Sequence, residues 1–453
     1  MKRTAFLILL LSLASPASAI EVVPSGVMDF VFVHSTGPLF YDSFQKDKEF
    51  DRFEARQRSR IQVDFIANEH LRGVVMLQFG AWQWGAPDGY YGPGAALDAT
   101  SGRPLVHRLY LDFDLPDTAI NVKMGLMDLI LPYATFGQTV FSNHVAAITA
   151  TAGITEKDSL TAFWARPYRN SNVHNNNDMD VLGLWGNLNF AKGSLAPWLA
   201  YANIGGNSGW WAREQVNGQA AWEEGAAAWW GAGLALALNP TDSLSLKFDG
   251  AFAALENDSR KNGNRAPEGS GYYLALAVDY ALDWGTPGLF GIYSSGDKAD
   301  NEGKINRLPA LAYDDSIWPM RAAFGGAYTC TNHTYLSWDA LGLWMLGAQV
   351  AGFSFVENVS HTARVAYFRG TSNIESDLVT GANEVPNLGT MVPLTPHDQA
   401  VEVDLDTFWQ VNENLIVGLE MSYLYLDATH KNRGVDYDRR NVLSSNLIFR
   451  FSF

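Results

Sequence analysis

Residues 53–65 read FEARQRSRIQVDF, and polarity changes there at every second position: Arg56, Arg58, Arg60, Gln62 and Asp64 share one phase, Ile61, Val63 and Phe65 the other. A period of two belongs to a β-strand, whose side chains alternate between faces; a helix would scatter the arginines around its circumference. The pattern returns in VHRLYLDFDL, with Arg108, Tyr110, Asp112 and Asp114 against His107, Leu109, Leu111 and Phe113. In VEVDLDTFW it sets Glu402, Asp404 and Asp406 against Val401, Val403 and Leu405, and in SNLIFRFSF it sets Asn446, Arg450 and Ser452 against Leu447, Phe449, Phe451 and Phe453. Each stretch predicts a strand with one wet face and one greasy face.

Connections between these strands come in two sizes. Short polar links such as ANEH (67–70), LPDT (115–118), TEKD (155–158), NPTD (239–242) and NENL (412–415) alternate with long ones at 36–55, 83–104, 129–144, 169–179, 205–227, 255–270, 296–337, 371–399 and 428–441. Tight turns at one rim and extended loops at the other are the mark of an up-and-down antiparallel β-barrel of the outer membrane. The expected fold is therefore all-β and transmembrane, with about 18 strands and sixteen as the alternative. The stretch 296–337 carries the weakest pattern, and the next strand is expected near 338–351. Closure is required, because an unpaired sheet edge in hydrocarbon leaves backbone polar groups costing several kcal/mol each.

Composition narrows the setting. The chain opens MKRTAFLILLLSLASPASA, a basic start, an apolar run and a small-residue ending, which predicts a signal peptide over 1–19 and a single barrel domain over 20–453. Removing that peptide takes away two positive charges and no negative ones, moving the net charge from −16 to −18. So acidic a chain is a poor nucleic-acid binder, since affinity there comes from neutralising phosphates. No apolar run beyond the leader approaches the roughly 20 residues of a membrane helix. With Cys330 as the only cysteine, stability has to come from burial and backbone pairing.

In a barrel the wet face turns to the lumen. Arg56, Arg58 and Arg60, with Arg72 and Arg108 on the following strands, then line a water-filled channel. The opposite orientation is excluded by cost, since one arginine facing lipid at mid-depth costs about 2–4 kcal/mol. Glu402, Asp404 and Asp406 supply opposing charge about four strands away, and Asp112 and Asp114 lie beyond the arginine row. Two readings stand for this charge: a transverse field that orients polar solutes, or plain solvation of a wide lumen.

Three blocks carry a resemblance. VKMGLMDLILPYATFGQTVFSNHVAAITATAGITEKDSLTAFWARPY (122–168), FSFVENVSHTARVAYFRGTSN (353–373) and AVEVDLDTFWQVNENLIVGLEMSY (400–423) together cover roughly a fifth of the chain and resemble the homotrimeric outer-membrane porins of sulfate-reducing bacteria. The resemblance implies a homotrimer of separate pores in a Gram-negative outer membrane, in contact with lipid and lipopolysaccharide and passing small hydrophilic solutes. The terminal Phe453, with Phe451, Phe449 and Leu447 in phase, resembles the signature read by the barrel assembly machinery. The long Trp-rich loops have no counterpart in that family, so its solute preference does not carry over. In porins the loop after the fifth strand folds inward and narrows the pore. Here that loop is LILPYATFGQTVFSNH (129–144), and Leu131, Pro132, Tyr133, Phe136 and Gln138 are the constriction candidates. Its apolar content supports an inward course, with packing on the rim or on a neighbouring subunit as the alternative.

Other features change the picture less. Trp210, Trp211, Trp222, Trp229 and Trp230 fit either the aromatic girdle expected of any such barrel or a sugar-stacking track, the basis of a carbohydrate-selective alternative. NVHNNNDMD, with His174, Asn175, Asn177, Asp178 and Asp180, offers donors for calcium but lacks the glycine and distant glutamate of an EF-hand, so a solvated loop is expected. A barrel hydrolase needs a nucleophile, a base and an orienting group; Ser360 and His361 are candidates that no spacing singles out, and His107 falls on the expected lipid face. No cofactor, no enzymatic activity and no clustered metal ligands are expected.

Overall fold

The alternation of the sequence becomes a closed wall in the computed structural model, which describes residues 20–36, 51–85, 104–169, 178–205, 226–257, 260–261, 264–265, 268–298, 304–311, 319–324, 341–373, 394–427 and 440–453. Its strands are β1 (Glu21–Thr36), β2 (Asp51–Asn68), β3 (Leu71–Gln83), β4 (Leu105–Asp114), β5 (Ile120–Ile130), β6 (Ser142–Gly153), β7 (Ser159–Tyr168), β8 (Met179–Phe190), β9 (Gly193–Gly205), β10 (Ala226–Leu238) and β11 (Leu244–Asn257). A small hairpin, β12 (Arg260–Lys261) and β13 (Asn264–Arg265), stands apart; then follow β14 (Glu268–Tyr280), β15 (Thr286–Ser294), β16 (Lys304–Ile305), β17 (Leu343–Phe353), β18 (Val359–Gly370), β19 (Gln399–Gln410), β20 (Leu415–Asp427) and β21 (Arg440–Ser452). Every wall strand pairs antiparallel with its chain neighbours, and β21 closes on β1 from Val27↔Ser452 to Thr36↔Leu443. The sheet has nineteen members; β16 only lies parallel along Glu268–Gly269, so the wall is eighteen-stranded and the sixteen-strand alternative falls. The expected strand boundaries hold to within a few residues, apart from β17, which starts at Leu343, and β1 and β2, which reach back to Glu21 and Asp51.

Apolar side chains cover the outside of the wall. Leu109, Leu111, Val403, Leu346 and Leu289 are all exposed outward, as lipid-facing positions must be where no water competes for them. Aromatic residues band both ends. Trp164, Tyr201, Trp230, Tyr272 and Tyr293 lie toward the long-loop end of their strands, while Phe190, Trp284, Trp409, Phe451 and Phe453 lie at the short-turn end. Trp230, registered opposite Tyr201, thus belongs to a girdle.

The largest buried cluster sits inside the barrel rather than between layers. It joins inward residues of β5 to β21, among them Trp229, Tyr273, Phe290 and Phe368, to Leu131, Val140 and Phe141 and to Leu308, Ala310, Leu311 and Met320. Two chain segments therefore fold into the lumen. The first, 131–141, is the expected inward loop; the second, from within 296–337, carries the only helix among the described residues, α1 (Arg321–Phe324). Close approach to the wall fixes one glycine: a Cβ on Gly271 of β14 would stand 2.4 Å from the backbone of Arg307 and Leu308.

Candidate functional site

The inner face from β21 through β5 is a carpet of paired charge. Asp29 on β1 is registered between Arg58 and Arg450. It is fully buried and accepts hydrogen bonds from Arg450 at 2.6 and 2.9 Å and from Arg58 at 3.2 Å. Arg56 pairs with Glu54 at 2.7 Å, both buried, and Arg60 donates to Gln78 at 2.8 Å. Arg72 grips Asp112 at 2.7 and 3.0 Å, Asn121 donates to Asp112 and Asp114, and Arg108 reaches Asp128 and Gln62. All five expected arginines thus face inward, but beside carboxylates or amides rather than as one bare positive wall. At two of these pairs the guanidinium is more open than its acid, 44% for Arg72 against 9% for Asp112 and 13% for Arg58 against 0% for Asp29, whereas Arg108 and Asp128 are equally open at 29% and 28%.

Glu402, Asp404 and Asp406 also face inward, but they do not form an open acidic wall. Each is at most 1% exposed, as is Glu420, which β20 registers opposite Asp406. The second inward segment covers them. The amides of Ala322 and Ala323 donate to Glu402 at 2.6 and 2.8 Å, and the amide of Arg321 donates to Asp404 at 2.9 Å. These are the first amides of α1, which have no partner within the helix and carry its positive end. The Arg321 side chain bonds Asp406 at 2.8 Å and approaches Glu420 at 3.4 Å, and Arg364 on β18 reaches Asp406 at 2.5 Å. Burial pushes the pKa of Arg321 down, but the charges of Glu420, Asp406 and Asp404 outweigh it and hold the guanidinium above its ordinary value. Both readings of this charge placed the acidic row against water, and that placement is corrected: the row is the socket of an inward segment, because buried carboxylates on adjacent strands need a cation and donors from the chain itself. Arg364 lies in the alternation of β18 and was legible; Arg321 sits where no period exists to point at it.

The first segment crosses the lumen. It leaves β5, returns to β6 and touches wall strands far around the barrel. Asp249 on β11 accepts the amides of Ala134 and Thr135, each at 2.7 Å, and the Thr135 hydroxyl. Phe136 meets the ring of Phe290 on β15 edge-on at 5.6 Å. Gln138 braces the turn, donating to the carbonyls of Leu131 and Pro132 and accepting the Val140 amide. Leu131 is fully buried, Tyr133 exposed. The two segments meet where the Leu311 amide donates to the Val140 carbonyl at 2.9 Å, and Trp229 of β10 donates to the Pro309 carbonyl at 2.7 Å.

Two expectations about histidines fail. His107 is not on the lipid face: the β3–β4 register slips between Arg108 and Val106, and the bulge turns His107 inward beside its neighbour. It meets Asp128 and His144 there, one donor atom from each lying within 4.8 Å of the others, so metal-type ligands do cluster. Ser360 and His361 are successive residues of one strand and project to opposite faces, and His361 instead bonds Thr407 at 2.9 Å. Of the tryptophan cluster, Trp210, Trp211 and Trp222 lie outside the described residues. So do residues 1–19, His174, Asn175 and Asn177.

A closed wall with a greasy exterior, a charged interior and inward segments is the architecture of an outer-membrane β-barrel channel. No protein-family model matches the sequence, and no curated protein matches it. The fold is similar to those of solved proteins of Pseudomonas aeruginosa. OccK11 (OpdR) gives a TM-score of 0.51 at 14% identity, over 95% of this chain and 96% of that one. OprD gives 0.52 at 12%, over 97% and 99%, and OccD3 (OpdP) gives 0.53 at 10%, over 98% and 96%. Identities this low establish the fold alone.

Proposed function

We propose that this chain is an outer-membrane porin, a water-filled channel for passive diffusion of ions and small hydrophilic solutes. The observation that carries the reading is the polarity of the wall: apolar side chains outside and a charged, hydrogen-bonded face inside from β21 to β5, where Arg58, Arg72, Arg108 and Arg450 keep part of their surface open. Solute passes along that face, beside the constriction made by 131–141 and the segment docked through Arg321. Because Arg72 and Arg58 are more open than the carboxylates they pair with, the passage favours anions. Planar-bilayer recording of the purified protein tests this in one experiment: stepwise conductance with a reversal potential on the anion side of a salt gradient is expected, and an electrically silent protein would end the reading.

The homotrimer implied by the sequence resemblance belongs to the same proposal, as do contact with lipopolysaccharide and delivery by the barrel assembly machinery. The terminal strand supports the last: the Phe453 amide and carbonyl both bond Gly26 at the short-turn rim, and Phe451 and Phe453 stack with centroids 5.7 Å apart. Mass measurement of unheated protein in detergent distinguishes three chains from one. A carbohydrate track gains no support, since Trp229 is buried beneath Pro309 and Trp230 faces outward. A hydrolase gains none from Ser360 and His361, which point apart.

A further inference from the structure

One cluster shares Asp128 with the charged face but adds two histidines that the conduction reading does not use. His107 on β4, Asp128 on β5 and His144 on β6 come from three consecutive strands. Asp128 and His144 are registered partners, and the bulge at His107 brings the third group onto the same inner face. The imidazoles of His107 and His144 lie with centroids 3.6 Å apart. Asp128 Oδ1 is 2.8 Å from His144 Nε2. His107 Nε2 is buried and has no hydrogen-bond partner at all. Leaving such an atom unsatisfied is costly, and two rings this close gain little from each other. Arg108 holds the other carboxylate oxygen, Oδ2, which orients Oδ1 toward the imidazoles as outer-shell partners orient metal ligands.

We propose that His107, Asp128 and His144 form a binding site for a borderline divalent transition-metal ion, Zn²⁺, Cu²⁺ or Ni²⁺. Two imidazoles and one carboxylate suit these ions rather than Ca²⁺ or Mg²⁺, which take oxygen. Donors on a tetrahedral ion lie roughly 3.4 Å apart, so the present spacing of up to 4.8 Å closes by side-chain rotation. The position gives the site a consequence. Asp128 and His144 are the two stalks of the inward segment, three residues before Leu131 and three after Phe141. An ion bound there ties both stalks to β4 at the neck of the constriction, so occupancy alters conductance. The conductance effect rests on the channel reading; ion binding does not.

The test uses full-length protein purified in detergent and stripped with EDTA. Titration with CuCl₂, followed by electron paramagnetic resonance, is expected to show one ion per chain with hyperfine coupling to two imidazole nitrogens. Calorimetry with ZnCl₂ is expected to show binding weakened ~10-fold or more in His107→Ala and in His144→Ala. His107→Gln, which keeps the bulk of the ring, serves if the alanine variant fails to assemble. Added ZnCl₂ is expected to change single-channel conductance in the parent but not in His107→Gln, whose conductance in EDTA matches the parent. Absence of stoichiometric Cu²⁺ binding, or binding undiminished in both histidine variants, overturns the site. Binding that leaves conductance untouched in a conducting channel overturns the coupling alone, and a protein that binds Cu²⁺ but never conducts overturns the channel reading while the site stands.

Discussion

The two sides of the lumen are built from the same alternating strands and end in opposite states. From β21 to β5 the inner positions are charged, paired across neighbouring strands and partly open, as with Arg72 and Arg108. From β5 round to β20 they are largely apolar or fully buried, because two inward segments lie on them: Trp229 under Pro309, Phe290 against Phe136, and Glu402 and Asp404 under the first amides of α1. Polarity at an inward position therefore does not by itself mean contact with water. Buried acids at Glu402, Asp404 and Asp406 serve attachment, whereas half-exposed arginines on the other side are left to meet solute.

The sharpest way to break that contrast is to remove the cation that seats the second segment. Arg321→Ala takes a buried cation from Asp406 and Glu420 while Arg364 stays on Asp406, and losing one partner of a buried ion cluster costs about 3–5 kcal/mol. The segment is expected to leave its socket. Single-channel conductance rises, and the thermal midpoint of the detergent-solubilised protein falls. A melt at the parent temperature together with parent conductance would show that the acids are held by something other than Arg321.

A smaller effect is expected across the lumen from Asp249→Ala. Three donors, the amides of Ala134 and Thr135 and the Thr135 hydroxyl, lose their common acceptor. Leaving such donors unpaired costs about 1–3 kcal/mol, less than an orphaned ion, and the Phe136–Phe290 contact remains. The first segment loosens without leaving, so conductance becomes noisier and modestly larger. A quiet, unchanged channel would mean that the tip of 131–141 does not border the path.

The same contrast explains what could be read from the chain. Strands β2, β4 and β19 showed themselves because their inner residues are charged and their outer ones apolar, which gives a clean period of two. On β10, β14 and β15 both faces are apolar, as with Trp229 and Trp230 or Phe290 and Leu289, since the inner face meets protein and the outer face meets lipid. There strand spacing and turn residues, rather than polarity, carried the assignment. Arg321 was not legible, because it lies in an aperiodic stretch and acquires its role only when β19 and β20 bring four carboxylates together. His107 was placed on the wrong face because alternation assumes an unbroken register, and a one-residue bulge reverses it. The inward course of 131–141 was legible from its apolar residues, but its partners Asp249 and Phe290, more than a hundred residues away, were not.

On the open side the expected changes are in selectivity more than in stability. Arg58→Gln combined with Arg60→Gln removes two inward charges, while Asp29 keeps Arg450 as its bidentate partner. Since Asp29 is buried but keeps that cation, the stability cost stays below the about 3–5 kcal/mol of a buried carboxylate that loses its cation altogether. Arg56 is better left in place, since its partner Glu54 is buried. The salt-gradient reversal potential is expected to move toward cations, and an unmoved potential would confine these arginines to a structural part.

The smallest effect concerns the short-turn rim, where His70 in the turn between β2 and β3 bonds Asp114 at 3.0 Å. That hydrogen bond raises the pKa of His70 above its ordinary 6.5 against the opposing effect of burial, and the charges of Glu69 and Asp114 add to the rise. A proton held more tightly in the folded state stabilises it fully while the imidazole is charged in both states, below the unfolded value. The contribution fades as pH climbs through the raised folded value and is absent once both states are neutral. The thermal midpoints of the parent and of His70→Ala should therefore differ near pH 5 and converge near about pH 9. Since the pair is fully exposed, the gap is small and shrinks with added salt. A gap that persists unchanged at high pH would assign His70 a neutral hydrogen bond in the turn.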